Sequence, residues 1–325
     1  MADHLLDVRN VTKSFPARRR AFLGPVGDVR AVDDVSLVIP AGTAYGLVGE
    51  SGSGKTTLGR VILRLIEPTW GQIYFEGRDL ATLRGAERQA DRHRIQMVFP
   101  ASASSLDPRQ TVRSIVGEPV LASSQAGGAR SARVRDLIAR VGLGAADLDR
   151  RPGELSAGQR QRIGIARALA LNPKLLVLDA PTDALDLSEQ AQILNLLLEL
   201  QRQFGLTFLF MSQDLAVIRY VCDQVGVMYR GRIVEEARAD DLLADPQHPY
   251  TRSLLAAIPD PNPDHPFQPM ANESPVGGLD LPHHGCRFAP RCPFVMGRCW
   301  AEDPLLQPSA PAHAVACHLY ESANV

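Results

Sequence analysis

The chain has 325 residues, 45% of them hydrophobic and 22% charged, with a formal net charge of -1. This is the composition of an ordinary globular protein, and it excludes disordered, collagen-like and membrane-spanning classes. No run of about 18 apolar residues is present to span a bilayer, MADHLLDVRN lacks the apolar stretch of a signal peptide, and the only compact basic run, Arg18 to Arg20, reads as a solvated loop. The expected location is therefore the cytoplasm, with no nucleic-acid partner.

In chain order, LLDVRNVTKSF and AVDDVSLVIP read as strands broken by turns, and the apolar strand AYGLVG runs into a glycine-rich loop that opens a helix. From about residue 100 to 172 the pattern is mostly helical, with VRDLIARVGL and QRQRIGIARALAL carrying apolar residues three and four apart. KLLVLDA is a short strand of the kind buried on both faces. EQAQILNLLLELQRQFG is a long amphipathic helix ending at Gly205, and LTFLFMSQD is a second buried strand with a polar end. Strands alternating with helices predict an α/β fold, a mostly parallel sheet covered on both sides. Beyond about 245, proline becomes frequent and a cysteine-bearing tail follows, so the division expected is 1–245 for the main domain and 246–325 for an extension.

GESGSGKTT, residues 49 to 57, fits the phosphate-loop pattern in its required context, strand before and helix after. Gly49, Gly52 and Gly54, with Ser51 and Ser53 between them, let backbone N–H groups turn inward around phosphate oxygens, and the following helix presents its positive end. Lys55 is expected to reach the β- and γ-phosphates and Thr56 to ligate Mg²⁺ through its hydroxyl, with Thr57 completing the motif. Asp179 ends a buried apolar strand, where a charge needs a partner. It reads as the second Mg²⁺ anchor, directly or through water, with a helix cap as the plainer alternative.

LSAGQRQR, residues 155 to 162, stands between the phosphate loop and the Asp179 strand and resembles the signature motif of ATP-binding cassette (ABC) proteins. The resemblance implies that Ser156, Ala157, Gly158 and Gln159 open a helix facing ATP held by a second subunit, with the helix dipole acting across an interface. SSLDPRQTV (104 to 112), HPYTRSLLAAIP (248 to 259), GCRFAPRCP and VACHL narrow the likeness to the ATP-binding subunits of oligopeptide and dipeptide importers. The fold implied is a P-loop ABC ATPase: a RecA-like core, an antiparallel β subdomain, a helical subdomain at about 100–172, and a C-terminal cysteine-containing extension. The partners implied are two ATPase subunits, two membrane permease subunits at whose cytoplasmic face they sit, and an extracytoplasmic substrate-binding protein. Phe15 matches the position where the family stacks an aromatic ring on adenine.

Three positions depart from the family. The glutamate that polarises the attacking water is Ala180, and loss of a positioned base costs about 10²- to 10⁴-fold in rate. The histidine expected to meet the γ-phosphate is Gln213, which donates a hydrogen bond but carries no charge. The glutamine expected after MVF is Pro100, and Ala101, Ser102 and Ala103 depart as well. Binding groups are thus intact and chemical groups missing, with Asp183 as a possible substitute carboxylate. The expectation is a heterodimer in which this chain holds Mg-ATP without hydrolysing it and supplies Ser156 and Gly158 to the site of a complete ATPase partner.

Cys286, Cys292, Cys299 and Cys317 give the spacing C-x5-C-x6-C-x17-C. Four thiolates can hold Zn²⁺ or a [4Fe-4S] cluster, with His283, His284 or His318 able to replace one as ligand, or the thiols can stay free or pair as disulfides in an oxidising compartment. The family resemblance implies the [4Fe-4S] cluster as the third cofactor beside ATP and Mg²⁺. Two further classes stay open: a soluble or regulatory ABC module without a transport role, and an importer of nickel complexes or oligosaccharides in place of peptides.

Overall fold

The computed structural model describes residues 4–16, 28–100, 106–122, 127–257 and 284–321. Arg18 to Arg20, Ala101 to Ala103 and His283 lie outside the described residues. Two long strands, β1 (His4–Phe15) and β2 (Val29–Pro40), lead to β3 (Ala44–Val48), the phosphate loop and helix α1 (Lys55–Ile62). Then come β4 (Trp70–Phe75), β5 (Arg78–Asp79), α2 (Gly85–Arg94) and β6 (Ile95–Val98). Helices α3 (Val112–Ala122), α4 (Gly127–Arg140) and α5 (Ala157–Leu169) follow, and the chain returns through β7 (Leu175–Asp179), α6 (Leu187–Phe204), β8 (Thr207–Ser212) and α7 (Leu215–Val221). The last elements are β9 (Gln224–Tyr229), β10 (Arg232–Arg238), α8 (Ala239–Ala244), α9 (Pro249–Ala256), β11 (Gln307–Ala310) and β12 (His313–Val315).

These strands make two sheets. The smaller is antiparallel, in the order β2-β1-β4-β5, and the larger runs β11-β12-β10-β9-β3-β8-β7-β6. Five consecutive strands, β9, β3, β8, β7 and β6, are parallel, while β10, β12 and β11 add antiparallel pairs beyond β9.

The parallel strands read as unbroken apolar runs because both faces are covered. Leu175 and Val177 of β7 and Leu209 and Met211 of β8 join the core shared with α1 and the antiparallel sheet. Leu176, Leu178, Phe208 and Phe210, their alternates, join the core shared with α3, α4, α5 and α6. Period-two alternation therefore divides the middle of each strand between two cores, with polar residues only at the strand ends. The carboxyl ends of β3, β7 and β8 lie side by side, Val48 opposite Ser212 and Asp179 opposite Met211. Among the described residues no helix is long and apolar enough to cross a membrane.

Candidate nucleotide-binding site

β3 is buried throughout, so the chain leaves it directly beneath the ends of its neighbours. The loop from Gly49 to Gly54 curls back there because glycine is needed. Gly54 has φ +111 and a Cβ added to it would stand 2.2 Å from the Ala31 carbonyl oxygen. At Gly49 the added carbon would meet the Met228 carbonyl oxygen at 2.1 Å. The loop is therefore packed against β2 and β9 by backbone, which only glycine allows.

Lys55 begins α1 and folds its ammonium back into the loop, donating to the carbonyls of Gly49 (2.6 Å) and Glu50 (3.0 Å) and to Ser53 Oγ (3.1 Å). Burial lowers its pKa, opposed by the charges of Asp179, Asp183 and Glu50. Thr56 Oγ1 donates to Asp179 Oδ1 at 3.0 Å. Burial raises the Asp179 pKa, with the Thr56 hydrogen bond, Arg60 and Lys55 opposing. A hydroxyl and a carboxylate side by side are hard oxygen donors of the type Mg²⁺ takes alongside phosphate and water. Together with Ala31, Ser51, Gly52, Ser53, Gly54, Thr57, Ala180, Asp183, Ser212 and Gln213, these groups line an open cleft of about 240 Å³.

Ala180 and Gln213 thus stand on the cleft wall, whereas Pro100 is half-buried beyond the end of β6 and does not line it. Asp183 does line it: its Oδ2 accepts from Gln213 Nε2 at 3.2 Å, and burial raises its pKa. Phe15 is 39% exposed at the end of β1, with the Lys13 ammonium 5.1 Å from its ring centre, and is not part of the cleft wall.

Ser156 caps α5. Its Oγ accepts the Gln159 N–H at 3.1 Å, and the Gln159 side chain accepts the Ser156 N–H at 3.0 Å, a reciprocal capping box. The same hydroxyl donates to Glu189 Oε1 of α6 at 2.9 Å. Gly158 leaves room for that carboxylate, since a Cβ there would lie 2.8 Å from Glu189 Oε1. None of Ser156, Ala157, Gly158 and Gln159 lines the cleft formed by residues 51–57.

In the comparisons, an ABC transporter family model matches residues 32–183, and a model of the oligopeptide/dipeptide transporter C-terminal region matches 234–299. A probable peptide ABC transporter ATP-binding protein of Sinorhizobium fredii is 47% identical over 324 residues, covering 98% of this chain and 91% of the relative. The chain belongs to the ABC transporter ATP-binding proteins. The oligopeptide transport ATP-binding protein AppF of Bacillus subtilis is 45% identical to this cassette over 97% of each chain. Among solved structures, a dimeric ATP-binding cassette in a post-hydrolysis state bound to ADP and Pi aligns with a TM-score of 0.64 and 29% identity, over 72% of this chain and 98% of that one. CbiO1 of Clostridium perfringens aligns with the cassette at a TM-score of 0.64 and 26% identity, over 75% of this chain and 92% of that one.

The iron–sulfur expectation is overturned. Among the described residues no group of three or more His, Cys, Asp or Glu side chains could hold a metal ion, which excludes the [4Fe-4S] reading of Cys286, Cys292, Cys299 and Cys317 and the zinc alternative with it. The relatives above are named as peptide transport ATP-binding proteins and nothing more. The physical reason lies in the surroundings. The four cysteines border an apolar cavity beside Phe288 and Phe294, and burial raises the thiols of Cys286, Cys292 and Cys317, the last to about 11. An apolar lining of that kind suits cysteines that pack as small apolar side chains, whereas a cluster takes thiolates. His318 is also committed, with Nδ1 bonded to Glu321 at 2.9 Å and Nε2 to the Glu302 carbonyl at 3.0 Å.

Sequence reasoning missed Glu189, the partner of Ser156, and missed the hold on Glu50 by Tyr250 and Arg291. The first could have been suspected from its place one turn into α6. The second leaves no linear signal, because its members stand 200 and 241 residues apart.

Proposed function

We propose that this chain is the ATP-binding subunit of a peptide-importing ABC transporter, holding Mg-ATP in a site of its own that does not hydrolyse it and completing the active site of a different ATPase subunit. The carrying observation is the contrast within one cleft. Lys55, Thr56 and Asp179 converge on it, while the wall where a base is needed presents the Ala180 methyl and the uncharged Gln213. Mg²⁺ bound there would neutralise phosphate charge. Thr56 and Asp179 would hold the ion, and Lys55 would exchange its loop carbonyls for phosphate. The loop glycines and Ser51, Ser53 and Thr57 would bind the phosphates, with Phe15 against the base.

The likeness to relatives named for peptide and oligopeptide transport supports the cargo class, and implies two permease subunits in the membrane with an external binding protein. Placement of Ser156 to Gln159 away from the cleft favours their use by a second subunit, in a head-to-tail pair with one engine and one clamp. On the division proposed near residue 245, the segment beyond it supplies no side chain to the cleft wall. A second reading, in which Asp183 serves as the base, draws on its position in the cleft and its raised pKa.

The test is ATP turnover by the assembled complex after the partner subunit's catalytic glutamate is changed to glutamine. Turnover is expected to fall to background. A substantial residue of activity, abolished by Asp183→Asn, would replace the clamp by the second reading.

A further inference from the structure

Glu50, the second residue of the phosphate loop, is held on three sides. Its carbonyl accepts from Lys55 at 3.0 Å, its N–H donates to the Tyr250 hydroxyl oxygen at 2.8 Å, and its carboxylate receives both arms of Arg291, each at 2.9 Å. Only the first contact is local. Tyr250 begins α9 and is fully buried, and Arg291 lies between Cys286 and Cys292. Their rings and charge form one packed unit: Tyr229 lies 4.5 Å from Tyr250 and 5.3 Å from Phe288, and the Arg291 guanidinium stands 5.6 Å from the Phe288 ring centre. The same unit reaches the loop again through β9, where the turn after Tyr229 donates the Gly231 N–H to the Ser53 carbonyl at 2.7 Å. Arg287 ties that turn down, bonding the Arg230 carbonyl and Asp33.

A carboxylate in a loop that receives a triphosphate opposes it unless its charge is cancelled nearby. Arg291 supplies a bidentate, charge-assisted partner, the strongest geometry for doing so. Tyr250 meanwhile fixes the direction of the Glu50 amide, and with it the turn that aims the following N–H groups.

We propose that Arg291 and Tyr250 are positioning residues for nucleotide binding, holding Glu50 and through it the phosphate loop in its anion-accepting form. The inference rests on the reading of that loop as the Mg-ATP site. By linkage the coupling is reciprocal: bound nucleotide must in turn steady the segment that carries Arg291.

The experiment is a titration of the full chain with Mg-ATP, with hydrogen exchange at residues 286–299 followed in its presence and absence. Arg291→Ala is expected to weaken binding about 5-fold and Tyr250→Phe about 3-fold. Adding Glu50→Gln to Arg291→Ala is expected to restore most of the affinity, because no unpaired carboxylate then faces the phosphates. Mg-ATP is expected to slow exchange at 286–299 in the wild type and not in Arg291→Ala. Wild-type affinity in Arg291→Ala, or a loss that Glu50→Gln does not repair, overturns the proposal. If Arg291→Ala does not fold, Arg291→Lys, which keeps the charge and loses the fork, is expected to bind Mg-ATP more weakly than wild type and to regain affinity when Glu50→Gln is added; wild-type affinity in Arg291→Lys, or a loss that Glu50→Gln does not repair, overturns the proposal. Lys55→Ala separates the two readings: if it leaves Mg-ATP binding intact, the loop assignment itself fails.

Discussion

Ala180 occupies a left-handed backbone position, φ +46, with its N–H donated to the Met211 carbonyl at 2.9 Å. That conformation costs about 1–2 kcal/mol for any residue with a Cβ, so a longer side chain adds no new backbone penalty. Ala180→Glu is therefore expected to fold and to place a carboxylate at the cleft wall. Groups that act as a unit do not recover singly. In a complex whose partner site is silenced, Ala180→Glu alone is expected to raise turnover less than about 10-fold, and Ala180→Glu with Gln213→His at least about 100-fold. Steady-state ATPase assays of the two variants check this, and equal recovery by the single change would mean that Gln213 is no obstacle. Ala180 and Gln213 were legible in the sequence as departures from the pattern that the family resemblance implies. That Asp183 lines the same cleft, bonded to Gln213, was not, since it depends on how two loops after β7 and β8 meet.

At the scale of elements, α5 shows a helix start satisfied from within its own chain. The capping box satisfies its first turn internally, yet Ser156 remains exposed and bonded to Glu189 of α6. Gly158→Ala places a methyl where Glu189 now lies, so the Ser156–Glu189 bond breaks while the cap survives. The expected cost is about 1 kcal/mol in a thermal or urea melt. Mg-ATP binding by this chain is expected to stay unchanged, while turnover of the assembled complex drops at least about 10-fold, as measured side by side. Undiminished turnover would remove the signature helix from the partner's site. The strands were readable for a plain reason: runs such as LLVLD and TFLFMS have no polar alternation, which fits only strands covered twice. The helix start was readable from its cap residues. The contact between α5 and α6 was not, because it joins residues 33 apart with no periodic relation.

Over the whole molecule, the carboxy-terminal segment is bound into the main sheet. β12 pairs with β10, and His313 Nε2 bonds the buried Glu235 at 2.7 Å. Glu235 also accepts the N–H groups of Gln247 (2.7 Å) and His248 (2.9 Å), so one carboxylate fastens both ends of the segment. His248 caps α9, its Nδ1 accepting the Tyr250 N–H at 3.0 Å, and burial lowers its pKa from 6.5 to about 3. Since the folded value is the lower one, the contribution is complete above pH 6.5 and is lost as pH falls toward 3. Stability is expected to drop by about 1.4 kcal/mol between neutral pH and one unit below the unfolded value. Urea melts across that range check it, and His248→Asn, which keeps an acceptor and removes the titration, is expected to flatten the slope. The sequence by itself determined the phosphate loop, the capped start of α5 and the buried parallel strands, because each is a pattern of near neighbours whose spacing is dictated by backbone geometry. Only the tertiary structure decided that the four cysteines border one apolar cavity, that Asp183 faces the cleft, and that Tyr250 and Arg291 grip Glu50. Those outcomes depend on burial and on contacts closed across up to 241 residues, which leave no mark on local spacing.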